Sequence, residues 1–405
     1  MTIIKENRLD QSDVLGQDVQ TSAKTNWRRL FGLQEMGVYY ALLLLIVTLT
    51  IITTYLGQSN YLSVQNLSNV VYQSSLIAIM AVAMTVVLIS GNFDLSVASV
   101  AALAAVMLIG HADVIGFWPA AALAVIVAMS IGLLNGVIVQ YVGINAFIVT
   151  LGTMTAVRGL VLIYTDGRSL SVANPDVIAT MKSFEGGRHD GFWLVLVAGF
   201  ALMAVAAFRI FQTRMAGKSL RPATLGMVGI GLFFLLVSWA SGGELILRNP
   251  VIMMVVFTAI VWFTLSFTMV GRRVYAVGGN SEAARLSGIN VTRYKLMAFV
   301  FCSGAAGFAG VLFASRLRSI NPAGLSGAEL TVIAAAILGG TSLFGGAGSV
   351  IKTLAGALLL YSLTNGFNIL NLGANWQGLI EGVVVVVAAA IYTVGGTKAK
   401  SKTGG

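Results

Sequence analysis

From residue 36 to residue 394 the chain repeats one pattern, an apolar run followed by a short break rich in glycine, asparagine, serine or charge. The runs occupy roughly 36–56, 70–89, 96–110, 118–139, 146–164, 192–209, 223–241, 251–270, 296–314, 329–344, 350–370 and 376–394. Each is close to the ~20 residues that an α-helix needs to cross a hydrocarbon core. The pattern predicts an all-α, polytopic transmembrane helical bundle of about 12 spans (10 to 12), with interrupted helices and with a broken span over 70–111 as the alternative to two full ones. Residues 36–395 form this membrane domain. Residues 1–35 and 396–405 are tails, and the first is read as mobile.

Charge orients the bundle. Segment 209–221 carries Arg209, Arg214, Lys218 and Arg221 with no acid. Segment 271–295 carries Arg272, Arg273, Arg285, Arg293 and Lys295 against the single acid Glu282, and the C-terminal tail carries Lys398, Lys400 and Lys402. These fall on one side, together with the N-terminal tail, and the positive-inside rule makes that side the cytoplasm. Both termini are then cytoplasmic. The opposite side receives 57–69, without charge, and 165–191, where acids and bases mix. Arg316 and Arg318 are the exception, since the alternation puts them outside. The N-terminal tail lacks the apolar core of a signal peptide, and Trp27-Arg28-Arg29-Leu30-Phe31 reads as an interfacial anchor.

Composition narrows the class. The chain is 57% hydrophobic and 10% charged, against about 25% charged in an ordinary soluble protein. The net charge of +10 sits in short loops, so it is a topological bias and not a nucleic-acid surface. Cys302 is alone and His111 and His189 are the only histidines, so neither a disulfide framework nor a metal site is expected. No cofactor is expected either: no phosphate-loop signature occurs, and no catalytic constellation is visible. The 46 glycines, and the small residues three and four apart in Ser303-Gly304-Ala305-Ala306-Gly307-Phe308-Ala309-Gly310, favour close helix packing in lipid.

Two stretches interrupt the apolar pattern. Residues 90–99 contain Asn92, Asp94 and Ser96; residues 339–349 contain Thr341 and Ser342. Asp94 or Ser90 suits a cap for the following helix. The alternative is broken backbone lining a pathway, since irregular backbone at membrane depth must be buried in protein or face water. Asn135-Gly136 and Asn365-Gly366, each followed at the same spacing by Gly and Asn, hint at an internal repeat. Arg158 and Glu381 lie inside spans and are expected to pair, as a structural ion pair or within the pathway. Ionisable groups are otherwise sparse in the spans, so the transport chemistry must borrow its energy.

The long polar stretch 271–295 is the remaining feature. Asn280 or Ser281 suits an N-cap, Ala283 and Ala284 favour helix, and Gly288 suits a stop. A helix of about two turns has little stability alone, so a docking partner is expected.

Gly278-Gly279-Asn280-Ser281-Glu282-Ala283-Ala284-Arg285-Leu286-Ser287-Gly288-Ile289-Asn290 resembles the Glu-Ala-Ala…Gly loop of ABC importer permeases, in the branch that imports ribose, xylose, galactose and related sugars. Phe93-Asp94-Leu95-Ser96-Val97, Phe147-Ile148-Val149-Thr150-Leu151-Gly152, Arg158-Gly159 and Ala334 through Leu343 extend the resemblance over about 60–395. Extra length around 191–241, as two added spans, is more similar to xylose permeases. Ala98 replaces the usual glycine, and Gln140-Tyr141-Val142-Gly143 lacks the usual basic residues. The resemblance implies a non-catalytic permease in a bacterial inner membrane. It implies a second permease copy, a cytoplasmic ATPase and a periplasmic or extracellular sugar-binding protein. Glu282, Ala283, Ala284, Arg285, Leu286, Gly288 and Ile289 would contact the ATPase. The substrate would be xylose or a similar pentose or hexose. A proton-coupled secondary sugar transporter is the alternative class.

Overall fold

The computed structural model describes residues 33–215 and 222–372, with residues 376, 378, 379, 382, 383 and 386 beyond them. Both tails, Glu381 and most of the expected last span lie outside the described residues. Among those described, fourteen α-helices are joined by short loops and two small antiparallel ribbons. The helices are α1 Leu33–Tyr55, α2 Val64–Ile89, α3 Val97–Ile115, α4 Phe117–Val137, α5 Ala146–Thr165, α6 Pro175–Gly186 and α7 Gly191–Met215. They continue as α8 Pro222–Ala240, α9 Asn249–Phe267, α10 Met269–Gly279, α11 Ser281–Leu286, α12 Val291–Leu317, α13 Ala328–Leu338 and α14 Val350–Ile369. A π-turn, Ile138–Val142, extends α4. Nine of the described helices are long and apolar enough to cross a membrane, and the chain is a multi-pass inner-membrane protein.

Region 70–111 holds two full helices, α2 and α3, as its two separate apolar runs predict. A break falls in 329–344, where α13 stops at Leu338, before Gly339 and the left-handed Gly340 (φ 76°). Eleven residues rise only about 16 Å, so irregular backbone must complete that crossing. Helix α2 also begins a turn and a half earlier than its apolar run, because the Ser63 side chain accepts from the Asn66 amide at 3.3 Å.

The bundle has two distinct ends. At the ribbon end, Leu170–Ser171 (β1) pairs with Ser319–Ile320 (β4), and Arg188–Asp190 (β2) pairs with Ile246–Arg248 (β3). There Tyr61 donates to the Ser362 carbonyl at 2.9 Å, and the Asn66 and Asn365 amides exchange hydrogen bonds at 3.1 and 3.0 Å. At the linker end sit residues 90–96, 143–145, 268–290 and 339–349. Helices α7 and α8 pack chiefly on each other, their close approach set by Gly199 against Leu235 and Gly231 against Met203. They are tied to the bundle by the β2–β3 ribbon.

Helices α2, α3 and α12 form the interior, with α2 buried along almost its whole length. Water provides no drive between helices in lipid, so packing and interhelical hydrogen bonds hold the bundle. Thr85 and Thr353 share a buried 2.7 Å hydrogen bond between α2 and α14. The glycine-rich run on α12 is a contact stripe: Gly307 lies on Ala128, Gly304 on Met129, and Gly310 on the Ala101 backbone.

A Cβ at Gly310 would meet the Ala101 carbonyl, which cannot rotate away. Gly310→Val should destabilise the bundle by about 1–3 kcal/mol or more through overpacking, seen as a lower melting temperature of the detergent-purified protein. An unchanged temperature would refute the stripe.

Candidate functional site

Helix α11 is built as the sequence predicts. The Asn280 side-chain oxygen accepts from the Glu282 and Ala283 amides at 3.1 and 3.0 Å, and Gly288 ends the turn with φ 77°. Its own chain contributes part of the missing stability: Ala284 is buried against Val277 of α10 and Val291 of α12, with Ile289 and Tyr294 beside them. The rest of the helix faces outward. Leu286 is 82% exposed, and Glu282 and Arg285 are paired only loosely at 3.9 Å across an exposed surface, which contributes little. An exposed leucine beside exposed charges suits a protein interface.

Helix α10 holds α11 against the membrane domain through backbone contact. Gly278 abuts the Ile89 carbonyl at the end of α2 and lies 2.8 Å, measured from an added Cβ, from the Gly346 amide. Gly345 and Gly346 have φ of 85° and 71°, and an added Cβ on Gly345 would lie 2.6 Å from the Gly278 carbonyl and 2.9 Å from Gly91. The Gly346 amide donates to the Ile89 carbonyl at 2.9 Å, and Tyr275 donates to the Gly348 carbonyl at 2.8 Å. Burial pushes the Tyr275 phenol up from its ordinary pKa, so it stays a donor at any physiological pH. The two irregular segments thus meet at one glycine junction on α10, the helix that leads into α11.

Residues 90–96 form a buried polar chain. Asp94 Oδ1 accepts from the Ser96 amide at 2.9 Å and the Ser96 hydroxyl at 2.6 Å. Ser96 in turn accepts from the Asn135 amide at 3.0 Å, and Asn135 accepts from Thr153 at 2.6 Å. Asp94 therefore turns the chain into α3, while its Oδ2 has no hydrogen-bond partner among the described residues. Thr341 and Asp94 are both buried and Ser342 is half-buried. Of Asn92, Asp94, Ser96, Thr341 and Ser342, only Asn92 lines either cavity described here, a linker-end pocket of about 490 Å³ shared with Gln140, Asn145 and Lys295.

A larger cavity, about 1020 Å³, runs from the ribbon end into the bundle between α2, α12, α13 and α14. Beside its mouth lies a cluster that sequence reasoning missed. Arg316 donates to Glu185 at 2.7 Å and to the Gln73 side-chain oxygen at 3.0 Å, and Tyr72 donates to Glu185 at 2.6 Å. The guanidinium groups of Arg316 and Arg248 lie 4.0 and 4.2 Å from the centre of the Tyr72 ring. The side chains of Arg316 and Glu185 are only 14% and 6% exposed. Arg316, the exception in the charge count, is therefore matched by an acid reaching in from α6. The charge anomaly was the signal that pointed to it, but its partner is 131 residues away.

Arg158 has a carboxylate partner other than the expected one: it lies 3.4 Å from Glu329, in the first turn of α13. Glu381 lies outside the described residues. Glu329 is buried where a helix N-terminus favours a negative charge.

The sequence profile described as "Branched-chain amino acid transport system / permease component" matches residues 66–389. The chain is 33% identical to the xylose transport system permease protein XylH of Escherichia coli K12, over 91% of this chain and 95% of that protein. It is also 33% identical to the ribose import permease protein RbsC of the same strain, over 92% of this chain and 98% of the relative. The Haemophilus influenzae XylH is 31% identical over 90% and 98%. No solved structure matches.

Removing Glu185 would strand a buried guanidinium, a change that costs about 3–5 kcal/mol. Glu185→Ala should lower the melting temperature sharply, and adding Arg316→Met should recover much of the loss. A double variant no more stable than the single one would exclude the pair as the reason.

Proposed function

The chain belongs to the branched-chain amino acid transport system permease family, and from that premise we propose that it is the membrane subunit of an ATP-driven monosaccharide importer. Its partners are a cytoplasmic ATPase, a periplasmic or extracellular sugar-binding protein and a second copy of itself. The substrate is a pentose such as xylose or ribose, or a similar hexose, since the two named relatives match this chain equally well. A proton-coupled carrier is the class that family membership displaces. The permease hydrolyses nothing; the ATPase supplies the energy.

The observation that carries this reading is the glycine junction behind α11. The ATPase binds α11 at the cytoplasmic face through Glu282, Ala283, Ala284, Arg285, Leu286, Gly288 and Ile289. The linker end is therefore the inner end, and the basic residues of 271–295 hold it there. When the ATPases close, α11 and α10 move together, and the junction passes the movement to 90–96 and 339–349. Those two segments, with Asn92, Asp94, Ser96, Thr341 and Ser342, form the inner gate. The 1020 Å³ cavity is the outer part of the sugar route, and α13 joins it to the gate. Such coupling requires the ATPase to bind the two access states with different affinity.

Gly288→Pro forces φ near −65° where the chain has 77°, and Glu282→Arg reverses the charge of the docking helix. Both should abolish uptake driven by the loaded binding protein while the permease still inserts. Normal uptake in both would sink the docking role.

Gly278→Ala pushes a methyl group into the Ile89 carbonyl without touching the exposed face of α11. The ATPase should still co-purify with this variant and hydrolyse ATP, with uptake reduced at least tenfold. Full uptake would exclude the junction as the transmitting element.

A further inference from the structure

The cavity at the ribbon end has the chemistry of a sugar site, and one residue in it is oriented by its neighbours. Its lining is mostly apolar with few polar groups, as in small-molecule sites generally. Phe313 and Tyr361 offer ring faces for the C–H side of a pyranose, and Ser326 and Thr331 offer hydroxyls. Arg316 is the charged residue among the described lining residues, and Glu185 neutralises it.

Gln73 is the residue whose amide is aimed. Arg316 can only donate, so the side-chain oxygen of Gln73 must be the atom that faces it, 3.0 Å away. That leaves the amide nitrogen, with two donors, on the other side, and Gln73 lines the cavity. Arg316 is itself held by Glu185 through a 2.7 Å hydrogen bond, and Glu185 is fixed a second time by Tyr72. We infer that Gln73 donates to a sugar hydroxyl in this cavity, and that Arg316 and Glu185 are positioning residues that set the direction of its amide. The inference rests on the permease reading and adds a selectivity determinant within the membrane subunit.

The test measures uptake by the whole importer, wild type and Gln73→Glu, of D-xylose and each of its single-hydroxyl epimers. Gln73→Glu keeps an acceptor for Arg316, so the variant should fold and retain its ATPase, but it has no amide donors. Losing one hydrogen bond to a substrate corresponds to about three- to tenfold. The ratio of uptake between D-xylose and one epimer should therefore shift by that factor, because only the sugars with the contacted hydroxyl lose a bond. Glu185→Gln should shift the same ratio in the same direction by removing the charge that holds Arg316. A purely structural role would lower uptake of every sugar equally, and that result, or an unchanged ratio, would overturn the inference alone. Failure of the wild-type importer to move any of these sugars or any related hexose would overturn the permease reading with it.

Discussion

Backbone-to-backbone contact at Gly278 is the constraint on which the rest of the structure depends. Within a membrane, irregular backbone is tolerated only where protein satisfies its polar groups. The 339–349 segment meets that requirement by placing its Gly346 amide on the Ile89 carbonyl and its Gly348 carbonyl under the Tyr275 hydroxyl. Those bonds need α10 to lie directly on the end of α2, and any side chain at Gly278 would hold the two apart. A short crossing helix, an unwound segment and the base of an exposed helix are therefore solved together, by one close approach.

The two ends of the bundle are stabilised by different physics. The linker end uses glycine, small apolar residues and main-chain bonds, with Arg272, Arg273, Arg285 and Arg293 exposed. The ribbon end buries charge: Glu185 and Arg316 lie largely out of water and are saturated by Tyr72, Gln73 and each other. A buried pair of this kind adds little net stability but makes the loss of either partner severe. What it contributes is geometry, since it anchors α6 on α2 and α12 beside the mouth of the larger cavity.

Much of this architecture was readable one segment at a time. Apolar length located the helices; Asn280, Ala283, Ala284 and Gly288 specified α11 down to its cap and stop; and the basic segments grouped on one end. What went unread was long-range. Arg316 looked anomalous because Glu185 is distant in sequence, and the carboxylate found beside Arg158 belongs to Glu329, 171 residues away. The break at Leu338 was hidden because Ala328 to Phe344 is apolar throughout enough of its length to pass for a span, and composition does not report whether glycine ends a helix or merely packs it.

The sequence alone therefore determined what depends on local chemistry: which segments are apolar enough for lipid, where caps and stops fall, and which family the ordered motifs match. Only the tertiary structure decided which glycines are turns and which are contacts, which buried charges meet, and that α10, the helix before α11, packs on both irregular segments. Those outcomes depend on three-dimensional adjacency between helices far apart in the chain. In lipid that adjacency is set by the fit of surfaces, which no single segment of sequence contains.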